Sequence, residues 1–301
     1  MAKRHKVLII AGGGVFGCIP AHFLGTLPPT ADASLDSVDM ISGCSIGGIL
    51  AAAYASGHAF DHIDQVFQER ADDCFDRRFM ACINPLACPT YDNDSINKVL
   101  EEMIGNKTLG QVRDVYPQLD VCIPTLNLTD DKYKVWDNID GTDDDIPLKV
   151  LASMTSAAPS YYYGIDWEGK CYVDGGIIEV APLLTATTAL RQKRGVEFKD
   201  MDVLMIGTGR DIDENPITTK KYNGMCLLEL ATKVIVPYVT LSNEMATRYW
   251  GNFIGYGSFT YYNPCITNGA LDDVDQIPDC IKQCEQFKDE FADVWSNWLK
   301  A

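Results

Sequence analysis

A three-layer α/β/α sandwich around a mostly parallel sheet is the fold that this 301-residue sequence predicts. Three observations carry the expectation. Short apolar runs alternate with helical patterns, the order that builds a parallel sheet covered on both faces. Two of those runs end in glycine-rich turns that open helices, at Gly12–Gly17 and Gly43–Gly47. The composition, 47% hydrophobic and 22% charged, is ordinary for a globular chain. A chain of about 300 residues buries roughly 75% of its unfolded surface, enough for a core without staples.

Each element follows from local pattern. Val7 to Ala11 is a short buried strand that runs through a glycine turn into an apolar helix, Val15 to Leu27, with Pro20 near its first turn and Pro28-Pro29 ending it. A second strand, about Val38 to Ser42, enters Gly43 and then the small-residue helix Ile46 to Ser56, closed by Gly57. Ile63, Val66, Phe67, Ala71, Cys74 and Phe75 mark an amphipathic surface helix over 61–79. Asn84 to Tyr91, with two prolines, reads as a linker before a helix of about Ser95 to Ile104. Leu119 to Thr129 and Tyr133 to Asn138 read as a hairpin turning at Asp130-Asp131. Beyond the acidic loop Asp143-Asp144-Asp145 come a helix at about Pro147 to Ser156, a strand at Cys171 to Asp174, a helix after Pro182 and the strand Val203 to Ile206. Two long helical patterns, around Met225 to Asn252 and Ile277 to Leu299, fill the last third. One domain over 1–301 is expected, its motif-bearing part about 5–210 and its C-terminal helical part about 220–301.

Charge narrows the partners. With 25 Lys+Arg against 42 Asp+Glu, the formal charge of -17 repels polyanions, so nucleic acid is not expected. Long-range capture by an anionic membrane is disfavoured too, which leaves transient membrane contact through an apolar patch. The 11 cysteines include no C-x-x-C pair and read as reduced thiols of an intracellular chain. The basic start, Met1 to Lys6, imitates a signal peptide, but its apolar run dissolves into glycines after five residues. No apolar stretch reaches the roughly 18 residues of a membrane span. A cytoplasmic protein, peripheral at membranes, is the resulting expectation, with the sequons at Asn93, Asn106 and Asn127 silent.

Gly12-Gly13-Gly14-Val15-Phe16-Gly17 satisfies G-x-G-x-x-G between a strand and a helix, so a dinucleotide site is one reading. That reading wants an acid at the end of the second strand; Asp39 stands at its start, and the strand ends in Ser42-Gly43. A plain tight turn is the second reading. The third is an oxyanion cradle of exposed backbone N–H groups at a helix N-terminus.

Gly43-Cys44-Ser45-Ile46-Gly47 is G-x-S-x-G at a strand-to-helix turn, the context of a nucleophile elbow. Cys44 is a rival thiol, but its neighbours supply no base and it reads as a buried structural cysteine. Serine needs a base, and in most elbow enzymes a histidine later in the chain provides it. No histidine follows His62 here; His5 and His22 precede the elbow, and His58 would lie roughly 20 Å along the elbow helix. The base is therefore expected to be a carboxylate, lysine or tyrosine. Asp174, at the end of the strand Cys171-Tyr172-Val173-Asp174 and before Gly175-Gly176, is the best carboxylate. The bland reading of Asp174-Gly175 is a turn pair.

Together these motifs resemble the patatin-like phospholipases over most of the chain up to about residue 210. The run Gly12 to Gly17 is similar to the family's oxyanion loop, Gly43 to Gly47 to its elbow and Asp174-Gly175-Gly176 to its Asp-Gly-Gly motif. Ala152-Ser-Met-Thr-Ser-Ala-Ala-Pro159 resembles the helical block before the Asp strand, and Pro182 and Val203 to Gly209 fall at comparable places. The resemblance implies a patatin-like fold, a Ser45–Asp174 dyad without histidine, and hydrolysis of phospholipid or other acyl-ester lipids without cofactor or metal. Gly12, Gly13, Gly14 and Ile46 are the implied oxyanion donors. Ala11 stands where the family often has Asp, Phe16 where many members have a basic residue, and Val180-Ala181 where paired asparagines are common. Two alternatives stay open: an acyltransferase or esterase on a soluble acyl ester, and a nonhydrolytic lipid-binding protein with an altered site. Tyr161-Tyr162-Tyr163 and Trp167 line an acyl channel, touch lipid or simply pack, with packing favoured.

Overall fold

A computed structural model describes residues 4–27, 37–75, 89–209, 236–266 and 270–301. Among them the chain forms one sheet of eight strands: β1 His5–Ile10, β2 Met40–Gly43, β3 Asp120–Asn127, β4 Lys132–Asp137, β5 Ile165–Trp167, β6 Lys170–Asp174, β7 Met201–Ile206 and β8 Ser258–Tyr262. Five strands, in the order β3-β2-β1-β7-β8, run parallel. β4 and β6 pair antiparallel with β3, and β5 pairs antiparallel with β6.

The apolar runs are continuous because both faces of the sheet are covered. Leu8, Ile10, Ile41, Leu204 and Ile206 point to one side, into a core shared with the helices α1 Cys18–Gly25, α2 Ile46–Ala55, α3 Phe60–Cys74 and α4 Asn93–Ile104. Past the single-turn α5 Val112–Val115, α6 Leu148–Thr155 joins the same layer. Val7, Ile9, Met40, Val203 and Met205, one residue out of phase, face the other side and pack on α7 Leu183–Arg194. α8 Val236–Phe253 lies against α7. The three layers and mostly parallel sheet expected from the sequence are therefore present.

The register of β3 decides where the functional residues meet. Cys122 pairs with Ser42 of β2 and with Asp137 of β4, so β2 and β4 flank opposite edges. Thr125 pairs with Asp174 of β6 and with Lys134 of β4, so β6 also lies opposite β4. β2 and β6 thus share one edge of β3 and approach end to end, with Pro124 at the junction. Proline has no N–H to donate, which suits a point where one partner strand stops and another begins.

Several elements differ from the sequence reading. The helix expected from Val15 begins as a 3-10 turn, Gly14–Gly17, before α1. The single C-terminal pattern is two helices, α9 Ile277–Cys284 and α10 Lys288–Lys300, because α9 packs on α1 whereas α10 packs on β7 and β8. β8, within the part expected to be helical, and β5 are short strands with mostly half-buried residues and no clear alternation. Residues 76–79 of the expected surface helix, 84–88 of the expected linker, Pro28-Pro29 and the helical stretch 225–235 lie outside the described residues.

The C-terminal helix is fastened to the sheet by a buried charge. Asp202 on β7 takes the Lys6 ammonium at 2.9 Å, the Ser258 hydroxyl at 2.8 Å and Arg4 at 3.0 Å. Lys6 also donates to the Trp298 carbonyl at 2.7 Å, and the Trp298 indole N–H donates to the Asp202 carbonyl at 3.0 Å. A polar cavity of about 520 Å³, lined by His5, Asp39, Arg113, Asp120 and Arg194, opens at the N-terminal ends of the strands. Removing one partner of a buried ion pair strands the other, so Asp202→Ala is expected to lower unfolding free energy by about 3–5 kcal/mol in urea titrations.

Candidate active site

Ser45 stands between the end of β2 and the start of α2 with φ 55° and ψ -129°. A non-glycine residue avoids that region at a cost of about 1–3 kcal/mol, and the surrounding elbow must hold it there. The hold is a set of close approaches. A Cβ on Gly47 would collide with the Ile10 carbonyl, and one on Gly43 with the backbone of Gly47. The Gly47 N–H closes the turn on the Cys44 carbonyl at 2.9 Å, and the Ser45 N–H donates to Thr155 Oγ1 at 3.2 Å. Thr155, at the end of α6, in turn donates to the Pro124 carbonyl at 2.8 Å. Sequence reading marked the block around Thr155 only as a resemblance; its hydroxyl joins the elbow to the β3 junction.

Asp174 ends β6 on the same junction and is 5% exposed. Its Oδ1 accepts the Gly176 N–H at 2.7 Å and the Cys44 thiol at 3.6 Å, and the nearby Ser45 side chain also pulls its pKa down. Burial pushes its pKa up to about 6, against the pull of those donors in the other direction. Cys44 is fully buried, and desolvation beside Asp174 raises its thiol well above the ordinary range. It is a protonated donor to the carboxylate, which removes it as a nucleophile. Gly175 lies where a Cβ would press on the Pro124 carbonyl and the Cys44 sulfur.

The glycine turn folds over this pair. A Cβ on Gly12 would come 3.1 Å from Ser45 Cβ, so the loop and the elbow are in contact. The Gly12 N–H, however, donates to the Val180 carbonyl at 2.9 Å. Gly12 is thereby corrected from an expected oxyanion donor to a residue that fixes the loop. Val180, read in the sequence only as a departure from paired asparagines, is what it is fixed to. Gly17 lies so close to Ile46 that a side chain there would collide with it. Ile46 opens α2, and an N–H at that position has no partner inside the helix. Glu179, unforeseen in the sequence, is half-buried and its pKa is raised by desolvation; it accepts from the Leu184 N–H at 2.9 Å and from the Thr185 hydroxyl.

All four histidines lie elsewhere. His22 is held by Asp64 at 2.9 Å and Glu285 at 3.0 Å, His58 and His62 face each other beyond the far end of α2, and His5 lines the cavity at the opposite end of the sheet. Two of the three tyrosines pack, Tyr162 buried with its hydroxyl on the Cys74 carbonyl at 2.7 Å and Tyr161 stacked on Tyr91, whereas Tyr163 is exposed. The acidic loops are tied to lysines, Asp143 to Lys134 and Asp130 to Lys170.

The family model for patatin-like phospholipase matches residues 8–187. A cGAMP-activated phospholipase of Escherichia coli (strain TW11681) is 30% identical over 90% of this chain and 83% of its own length. Patatin-17 of Solanum cardiophyllum is 28% identical over 81% of this chain and 69% of its own. Human GIVD cytosolic phospholipase A2 in complex with methyl gamma-linolenyl fluorophosphonate aligns with a TM-score of 0.47 at 10% identity, covering 99% of this chain and 60% of that one. A family match that spans most of the chain's first two thirds, joined by a relative 30% identical along nearly all of both sequences, means that this chain belongs to the patatin-like phospholipase family.

Proposed function

We propose that this protein is a lipid acyl hydrolase that cleaves carboxylic ester bonds of phospholipids through an acyl-enzyme on Ser45. The observation that carries the reading is that the β3 edge brings the strained Ser45, at the end of β2, to a buried Asp174, at the end of β6, whose pKa is raised to about 6. A carboxylate of that basicity is suited to accept a proton near neutral pH, where an ordinary Asp at about 3.9 is a poor base. Asp174 takes the Ser45 proton as Oγ attacks the acyl carbonyl, and returns it to the departing alcohol. Asp174 then takes a proton from the water that attacks the acyl-enzyme and passes it to the departing Ser45 Oγ, freeing the fatty acid and restoring the hydroxyl and the carboxylate. The N–H groups of Gly13, Gly14 and Ile46 hold the oxyanion, aided by the positive end of α2. The oxyanion loop carries Phe16 rather than a cation, so backbone donors do this work alone. Cytoplasmic action, peripheral at membranes, is part of the proposal, as is treating residues 1–301 as one functional domain.

Two relatives are cGAMP-activated phospholipases by name. A cyclic-nucleotide activator of that kind is carried over to this chain, so phospholipid hydrolysis is to be assayed with and without cGAMP. Ser45→Ala and Asp174→Asn are each expected to lower turnover by at least about a thousandfold while the fold persists; retention of full activity by either variant would remove the dyad. Wild-type kcat/KM is expected to fall tenfold per pH unit below about 6, because the base must be ionised. Asp174→Asn carries a second expectation. A carboxyl whose folded pKa is raised stabilises the fold only while protonated, and that stability is lost as pH rises through about 6. The ionised form therefore costs about 3 kcal/mol, and Asp174→Asn is expected to be the more stable protein at about pH 8, with the gap closed by about pH 4, in urea titrations.

A further inference from the structure

The outer face of α8 is apolar and uncovered among the described residues. Met245, Tyr249 and Phe253, spaced four apart, are 59%, 70% and 74% exposed, and Trp250 beside them is 52% exposed. Tyr249 and Phe253 stack with ring centroids 6.0 Å apart. The opposite face is the packed one: Thr247 is buried, and Gly251 lies against the Phe259 ring. The helix also touches the turn Gly175–Ile177, where Ile177 and Ile178 stand 42% and 49% exposed directly after Asp174.

Charge says what this face meets. The chain has 42 Asp+Glu in 301 residues, about one in seven, yet residues 245–271 contain none, and their one charged side chain is Arg248. A region without acids, on so acidic a protein, removes the repulsion that a phospholipid headgroup layer would otherwise feel. Trp and Tyr, apolar in body and polar at the tip, are the side chains that settle at a lipid–water boundary. We propose that the outer face of α8, with Ile177 and Ile178 at its catalytic end, docks on a phospholipid bilayer surface and presents the Ser45 site to it. The proposal rests on the lipid-ester reading of that site. Docking of this kind depends on apolar insertion, so it tolerates salt and does not require anionic lipid.

The test uses the full chain and vesicles of phosphatidylcholine, with and without phosphatidylglycerol. Tyr249→Ser/Trp250→Ser/Phe253→Ser is expected to lower vesicle co-sedimentation and vesicle hydrolysis by about a thousandfold, roughly tenfold per aromatic, while leaving kcat/KM on a dissolved short-chain p-nitrophenyl ester unchanged. Phe253→Gln alone is expected to lose about tenfold, which keeps the test decisive if the triple variant is poorly folded. Wild-type-like vesicle binding by Phe253→Gln and the triple variant overturns the proposal, as does a wild type that fails to bind either vesicle. A wild-type dimer that the variants convert to monomer, with vesicle binding intact, assigns the face to a second copy instead. Ser45→Ala separates the two readings: its vesicle binding tests the docking face, whereas absence of dissolved-ester hydrolysis by the wild type, with binding intact, defeats only the hydrolase reading.

Discussion

One edge of β3 serves two strands, and the candidate chemistry depends on that division. β2 rises along the edge and stops at Gly43; β6 descends along it and stops at Asp174. A strand end is where the backbone is free to turn and the next side chain is free to project. Here two such ends face each other across Pro124, whose carbonyl receives the Thr155 hydroxyl. The same hydroxyl holds the Ser45 N–H, so the elbow and the carboxylate are referred to one point on one strand. In the proposed dyad, this meeting of two strand ends takes the place of a bridging histidine.

That closeness has an energetic cost shared by both partners. Ser45 is held at a backbone angle that serine avoids, and Asp174 is ionised in a place that favours its neutral form. Neither would persist on a flexible loop. The Cys44 thiol and the Gly176 N–H each supply the carboxylate with a hydrogen bond, enough to orient it without restoring the solvation it lost. Strain and desolvation of this kind are tolerated where the surrounding core over-determines the geometry. The buried Val7–Ile10 stretch of β1, with the fully buried β7 and α2, provides that surplus.

Much of this was legible in the residues. The continuous apolar runs of β1 and β7 and the small-residue pattern of α2 follow from burial on both sheet faces, and local glycine chemistry marks both turns. The four histidines, all at or before His62, directed attention to a carboxylate. What escaped was non-local. Nothing near Val180 says that its carbonyl will bind the Gly12 N–H, because that contact forms between segments distant in sequence. Glu179 looked like any polar residue after a glycine turn. β8 has too few buried positions to alternate visibly, and the break between α9 and α10 reflects two different packing partners, which no helical period reveals.

The division of the β3 edge also orders events during synthesis. The elbow emerges early, but 130 residues separate Cys44 from its contact at Asp174. At about 5–20 residues per second, a ribosome needs on the order of ten seconds to cover that distance. Until then β2 can dock and the elbow can form, yet the upper half of the edge is vacant and the proposed base is missing. Under the proposed dyad, a partly made chain is an inert one. The proposed centre waits for a strand that arrives late and antiparallel, so a chain that stalls or is cut before β6 holds an apolar fragment without the carboxylate half of that centre.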